Sequence, residues 1–259
     1  MAVPRLLVIA GSDSSAGAGL QADLKTAQAF GVYAQTAVTA VTAQNTRGVH
    51  AILPVAPDMV RAQIEAALGD IGADAIKIGM LGNGAIAAAV ADVLEKVDLP
   101  LVVDPVLLST SGAVLLDADG VEVLKSRLFP RATLVTPNLP EAEALTGIAA
   151  GSEHGLRNAA QAFALCGARN VLFKGGHGDG PQVRDVLVEG GKQTIFTAPR
   201  QATLHTHGTG CTLATAIACG LAQGRTMADA VGRAHAYVQE AIRTAPGLGA
   251  DKGPLNHAR

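Results

Sequence analysis

The residues best suited to chemistry lie in one run, His205-Thr206-His207-Gly208-Thr209-Gly210-Cys211-Thr212, which leads directly into the apolar, helix-prone segment Leu213 to Leu221. At a helix start several backbone N–H groups have no partner and the dipole is positive. Such a place favours a developing negative charge, for example a phosphoryl group in transfer. Gly208 and Gly210, on either side of Thr209, let backbone approach a ligand closely. Cys211 adds a thiol, and a helix N-terminus is expected to lower its pKa. The run is not a P-loop, because Gly-x-x-x-x-Gly-Lys-Ser/Thr occurs nowhere in the chain, and its spacing also fails the dinucleotide fingerprint. The competing reading is a glycine-rich turn around a buried structural cysteine.

Carboxylates, an amide and a lysine stand where they can serve the same chemistry. Asp104 closes the apolar run Leu101-Val102-Val103, so its charge needs a partner or water. Asn138 and Glu141, three apart in Pro137-Asn138-Leu139-Pro140-Glu141, fall where a strand gives way to a helix. They can organise Mg²⁺ and its waters, or simply cap that helix. Lys174 ends a buried strand and opens into Gly175-Gly176, so its ammonium can reach a phosphate while the glycines admit a nucleotide; the alternative is an edge lysine snorkelling to water. Near the N-terminus, AGSDSSAGAGLQADLK (Ala10 to Lys25) is a small-residue loop entering a helix. Gln44 and Asn45 would point amides that both donate and accept, as a pyrimidine edge requires.

These residues need a scaffold that brings them together. Arg5 to Gly11, Ala75 to Gly79, Pro100 to Asp104, Thr133 to Thr136 and Asn170 to Gly175 are short Val/Ile/Leu-rich runs separated by helical patterns, which predicts a parallel sheet between layers of helices. The expected helices are Leu20 to Phe30, Pro57 to Leu68, Gly84 to Val97, Leu156 to Cys166, Thr212 to Gln223 and Met227 to Arg243, the last with Thr226 and Asp229 placed as a capping box. Val183 to Val188 and Gln193 to Thr197 flank Glu189-Gly190-Gly191-Lys192 and read as a hairpin, an antiparallel edge to the sheet. Ligands of such sheets sit beyond the carboxyl ends of the strands, and each strand here delivers a polar or glycine-rich tip.

Composition limits the partners. The chain has 259 residues, 49% hydrophobic and 16% charged, enough for a sizeable core, and no linker or repeat divides it, so one domain over residues 1–259 is expected. A net charge of -2 and 3% aromatic residues offer neither the basic footprint nor the stacking platforms of a nucleic-acid binder. No apolar stretch reaches the roughly 20 residues of a membrane span. Cys166, Cys211 and Cys219 show no pairing pattern, which suits a reducing cytoplasm.

Taken in order, GSDSSAGAGLQADLK, TAQNTRGV, KIGML, VVDPV, TPNLPEAEALTG, KGGH and HGTGCTLA resemble the hydroxymethylpyrimidine/phosphomethylpyrimidine kinases of thiamine biosynthesis, from Leu7 to Lys252-Gly253-Pro254-Leu255-Asn256-His257. The resemblance implies a ribokinase-like three-layer αβα sandwich, a homodimer, and MgATP-dependent phosphorylation of the pyrimidine alcohol and then of its monophosphate. It places Gln44 at the pyrimidine edge with Asp23, Gly11 and Met80 close by. Gly208, Thr209, Gly210 and Cys211 form the anion hole, Asp104, Asn138 and Glu141 fall near Mg²⁺ and the phosphates, and Lys174 near the nucleotide. Three departures stand out. The family commonly reads Pro-Ser-Gly-Gly at Ser14-Ser15-Ala16-Gly17, often carries lysine at Thr110 in the lid after Asp104, and often has an acidic or amide residue near His205 ahead of Thr206. Pyridoxal kinase shares these expectations, though the lid Leu107 to Gly112 lacks the second cysteine some of those enzymes use. From other classes, a thiol hydrolase pairing Cys211 with His207 or His235, or a nucleotide-binding protein without activity, remain alternatives.

Overall fold

The computed structural model describes residues 3–109, 112–178 and 180–258. The strands are β1 (Arg5–Asp13), β2 (Tyr33–Asn45), β3 (Gly48–Pro54), β4 (Ala75–Ile78), β5 (Leu101–Val103), β6 (Leu134–Val135), β7 (Asn170–Phe173), β8 (Gln182–Glu189) and β9 (Lys192–Pro199). The helices are α1 (Gly19–Ala29), α2 (Pro57–Gly69), α3 (Gly84–Leu94), α4 (Ala118–Val123), α5 (Leu139–Thr146), α6 (Glu153–Leu165), α7 (Thr209–Ala222) and α8 (Met227–Arg243). The strands form one sheet in the order β3-β2-β1-β4-β5-β6-β7-β8-β9. Pairing is parallel from β2 through β7 and antiparallel at β8–β9, the expected hairpin edge. The opposite edge is antiparallel too, through β3 on β2, which the sequence reading did not anticipate.

Alternation along the central strands splits the core between two faces. Leu7 and Ile9 of β1 point to one face, with Val60 and Ile64 of α2, Ile86 and Val90 of α3, and Phe163 of α6. Leu6, Val8 and Ala10 point to the other, with Leu20 of α1, Leu213 and Ile217 of α7, and Val231 and Val238 of α8. The result is the three-layer αβα sandwich. In β4 the same alternation sends Ile76 and Ile78 to the first face, and Ala75 with Lys77 to the second. Lys77 is therefore fully buried, among the largest such side chains of the described residues.

Order is reversed about β1, whose neighbours are β2 and β4, so a cleft opens beyond their carboxyl ends as the topology of open α/β sheets requires. Gly11 of β1 faces Met80, just after β4, across that cleft. A Cβ on Gly11 would lie 2.9 Å from Met80 Sδ. Thr226 caps α8, its hydroxyl accepting from the Asp229 N–H, but only this half of the expected capping box forms, since the Asp229 carboxylate accepts from Arg225 Nη1 at 2.9 Å.

Candidate active site

The strand tips converge on a cavity of about 930 Å³. Gly11, Met80, Asp104, Asn138 and Lys174, one from each of the five predicted tips, line it, together with Gln44 and the run Gly208 to Cys211.

The anion-hole segment is built by two backbones in contact. Gly208 is the N-cap of α7 with φ 84°, and no side chain caps the helix. A Cβ there would fall 1.9 Å from Gly17 O, so only glycine lets the N-terminal loop and the α7 loop touch. α7 starts at Thr209, three residues before the expected Thr212, because Gly208 turns the chain through the left-handed region. Among the described residues the first-turn N–H groups without a partner therefore belong to Gly210 and Cys211 themselves, while the Thr209 N–H donates to Thr206 O at 3.3 Å. Gly210 abuts the charged groups: a Cβ on it would lie 3.2 Å from Lys174 Nζ and 3.4 Å from Asp104 Oδ2.

Beside this helix start sits a charged triad. Lys174 Nζ donates to Asp104 Oδ1 at 2.6 Å and lies 3.8 Å from Glu141 Oε2, and the Thr136 hydroxyl donates to Asp104 Oδ1 at 3.0 Å. Burial alone would pull the Lys174 ammonium down, but Asp104 and Glu141 outweigh it and hold the cation charged. Burial pushes Glu141 up to about 7, with Asp104 adding and Lys174 opposing. Asn138 and Glu141 form a reciprocal capping box on α5, the Glu141 N–H donating to Asn138 Oδ1 and the Asn138 N–H to Glu141 Oε2. The amide oxygen of Asn138 is thus committed to the cap, and its NH₂ is what it can offer a ligand. Among the described residues Asp104 Oδ2 and Glu141 Oε1 make no hydrogen bond, and no cluster of three or more His, Cys, Asp or Glu side chains is arranged as a metal cage.

At the end of the cleft where Gln44 lies, Asp13 organises the loop. Its Oδ1 accepts from the N–H and hydroxyl of Ser15, and its Oδ2 from the N–H groups of Gly17 and Ala18 and from His207 Nε2 at 2.9 Å. Burial would raise this carboxyl, but those bonds, led by His207, hold it down at about 2. Neither Asp13 nor the His207 link was singled out in the sequence; a strand-end Asp ahead of small residues was the available signal. His207 Nε2 is also 3.2 Å from the Gln44 amide. Ser14, where the family has proline, bonds both backbone groups of Gln44, its hydroxyl donating to the carbonyl at 2.7 Å and accepting from the N–H at 2.8 Å. Ala16 carries the strain of the departure, with φ 60° in a non-glycine residue. Thr110 lies outside the described residues.

Two expectations need correction. Asp23 does not line the cavity. It is fully buried behind the wall, where Lys77 Nζ donates to its Oδ2 at 2.9 Å and the Thr215 hydroxyl to its Oδ1 at 2.7 Å. Asp23 is the counter-ion that a lysine forced inward by strand alternation demands. Asp23→Asn is therefore expected to lower unfolding free energy in urea by about 3–5 kcal/mol, the cost of stranding a buried charge. A higher pyrimidine KM in a variant of unchanged stability would instead make Asp23 a substrate contact.

Nor is the Cys211 thiol acidic. The residue is half-buried, yet burial of its sulfur, with Asp23 and Asp104 adding, pushes it to about 11 despite Lys77 and the Gly19 N–H. Desolvation wins over the helix dipole, and the thiol is neutral at physiological pH. Its alkylation by iodoacetamide should accelerate about tenfold per pH unit with no plateau below about pH 10, read by peptide mass spectrometry. A plateau between pH 6 and 8 would contradict this environment. Among the described residues no hydrogen bond joins Cys211 to His207 or His235, which removes the basis for a thiol–imidazole nucleophile: His207 is engaged with Asp13, and His235 with Asp185 at 3.0 Å.

An αβα sandwich whose strand tips gather an uncapped helix N-terminus, a partly buried lysine and two carboxylates around one cleft is a phosphotransferase scaffold. The chain matches the family described as phosphomethylpyrimidine kinase over residues 13–256, and it belongs to that family of ATP-using kinases. It is 46% identical over 254 residues to the hydroxymethylpyrimidine/phosphomethylpyrimidine kinase of Streptomyces coelicolor, covering 98% of this chain and 94% of that one. It is 49% identical over 253 residues to the thiamine biosynthesis bifunctional protein ThiED of Geobacter sulfurreducens, covering 97% of this chain but 52% of that longer protein. Among solved structures it is similar to the pyridoxal kinase of Staphylococcus aureus in complex with AMP-PCP and pyridoxal, with a TM-score of 0.91 at 36% identity, covering 99% of this chain and 94% of that one. No helix of the described residues is long and apolar enough to cross a membrane.

Proposed function

We propose that this enzyme transfers the γ-phosphoryl group of MgATP to the hydroxyl of 4-amino-5-hydroxymethyl-2-methylpyrimidine, and then a second phosphoryl to the monophosphate, for thiamine biosynthesis. The observation that carries the reading is the convergence of the free N–H groups of Gly210 and Cys211 with Lys174, Asp104 and Glu141 on one cleft, with Gln44, Gly11 and Met80 at its other end. One domain supplies all of these residues. The reading extends to a cytoplasmic homodimer that binds no nucleic acid.

Phosphoryl transfer asks the protein for alignment and charge stabilisation. Gln44, steadied by Ser14 and in contact with His207, presents donor and acceptor groups to the pyrimidine edge, and Met80 with Gly11 forms a flat wall beside it. The helix N–H groups receive the equatorial oxygens of the migrating group. Asp104 and Glu141 each keep one carboxylate oxygen free, which fits Mg²⁺ held largely through its own waters; when bound, the ion neutralises phosphate charge. Asp104 and Glu141 would hold the ion, and the Lys174 ammonium beside them is placed to offer its charge to the phosphates. Because the Cys211 thiol is neutral, it serves as a hydrogen-bonding neighbour of the attacking alcohol rather than a resident base. Its contribution belongs to the first transfer, since the monophosphate acceptor is already ionised.

Two rates test this together. ATP turnover should depend on added pyrimidine, and Cys211→Ala should slow transfer to the alcohol about tenfold while leaving transfer to the monophosphate within about twofold. Equal slowing of both transfers at unchanged KM would refute the division, and turnover indifferent to pyrimidine would refute the function. The likeness to a pyridoxal kinase structure supports vitamin B6 compounds as a second acceptor class, and competition between pyridoxal and the pyrimidine alcohol decides between them.

A further inference from the structure

Lys174 and Gly176 line the cleft, and the segment they open contains glycine at 175, 176, 178 and 180. So many glycines leave a chain that loses much entropy when ordered, and an ordered ligand wall built from them needs external anchors. Two are present, on opposite sides, and both are distinct from the α7 start and the charged triad.

On one side, Gly175 is pressed against β8, where a Cβ would meet Arg184 O at 2.0 Å, and its N–H donates to Asp185 Oδ1 at 2.8 Å. Asp185 is buried, and its Oδ2 accepts a hydrogen bond from His235 Nδ1, reaching across from α8 at 3.0 Å. His235 is itself buried beside the Phe196 ring, and its Nε2 has no hydrogen-bond partner among the described residues, so the ring carries its proton on Nδ1. On the other side, Arg200 spends its fork on three carbonyls: Nη1 on Gly176 O at 2.8 Å, Nη2 on Gly178 O at 2.6 Å, and Nε on Gly180 O at 2.9 Å. A planar guanidinium can hold three convergent carbonyls in one plane, and an ammonium cannot. Gly176, Asp185 and Arg200 all line the cavity on the side of Lys174.

We infer that Arg200 and the Asp185–His235 pair are positioning residues for ATP, fixing the glycine segment that follows Lys174 in the form that receives the nucleotide. This rests on the reading that the nucleotide lies at the Lys174 end of the cleft. Without either anchor the segment must be ordered at the expense of binding, which weakens the nucleotide and leaves the transfer step, set by α7 and the charged triad, largely intact.

The test is nucleotide affinity by calorimetry with ADP and with AMP-PCP, alongside KM for ATP and for pyrimidine, in Arg200→Leu, His235→Leu and His235→Asn. Both leucine variants should bind nucleotide and show ATP KM about tenfold weaker, with kcat within about threefold and pyrimidine KM within about twofold. His235→Asn places an amide donor near the position of Nδ1 and should return nucleotide affinity to within about threefold of wild type. Should a leucine variant fail to fold, Arg200→Lys and His235→Gln carry the comparison, each losing the native hydrogen-bond geometry while staying polar. Unchanged nucleotide affinity, or a loss shared equally by both substrates, would overturn the inference. If wild type binds ADP but phosphorylates no pyrimidine, the proposed function fails while the inference about the wall is still decided by the binding data.

Discussion

Gly208→Ala should reduce kcat/KM for transfer to the pyrimidine by about 10²–10³, the range seen when oxyanion-type donors are displaced. Two costs meet at this residue. Its φ of 84° penalises any side chain, and the added methyl would sit 1.9 Å from the carbonyl of Gly17, a backbone atom with no freedom to swing aside. The loops must part, and the N–H groups of Gly210 and Cys211 move with them. Gly224→Ala is the control, since it shares the left-handed backbone, φ 74°, but has nothing within 4 Å of the new methyl. That variant should lose about 1–2 kcal/mol of stability and no activity. If the two variants proved equally active, the apposition of the loops would have no part in the chemistry.

Lys174→Met should cost about 10²–10³ in kcat/KM. Among the described residues the amine is the one cation within 4 Å of both Asp104 and Glu141, and removing it leaves two buried carboxylates without that cation. Glu141, already held near 7 by burial, would lose the partner that draws it down. Lys174→Arg should not restore activity, because a planar fork cannot reproduce the single ammonium that sits 2.6 Å from Asp104 Oδ1 and 3.8 Å from Glu141 Oε2. Steady-state kinetics with saturating Mg²⁺ measures both variants, and activity in Lys174→Met within tenfold of wild type would remove the lysine from the phosphate site.

What could be read from the chain, and what could not, follows from how each residue is fixed. The apolar strands β1, β4, β5 and β7 announced themselves, as did Met227–Arg243, whose bounds match expectation. Strand β2 did not, because Tyr33–Asn45 interleaves Thr, Ala and Gln with few large apolar residues, and with it the antiparallel edge formed by β3 was lost. The gathering of Gly11, Met80, Asp104, Asn138 and Lys174 on one rim was legible, since parallel strands deliver their tips to a common end. Lys77 was opaque: a lysine in a strand ordinarily reads as exposed, and only its pairing with Asp23, which the Thr215 hydroxyl holds in turn, makes burial tolerable. For the same reason Asp23 read as a ligand contact. Arg200 carried no signal, because its partners are carbonyls, which every residue has.

The central claim is that the start of α7 holds the phosphoryl group in flight. A crystal structure with ADP, the pyrimidine alcohol and a planar phosphoryl mimic such as aluminium fluoride tests it directly. The fluorides should accept hydrogen bonds from the backbone N–H groups of Gly210 and Cys211, at about 2.7–3.1 Å, with Lys174 turned from Asp104 toward the same group. A mimic bound elsewhere in the cleft, with those N–H groups facing water, would contradict it.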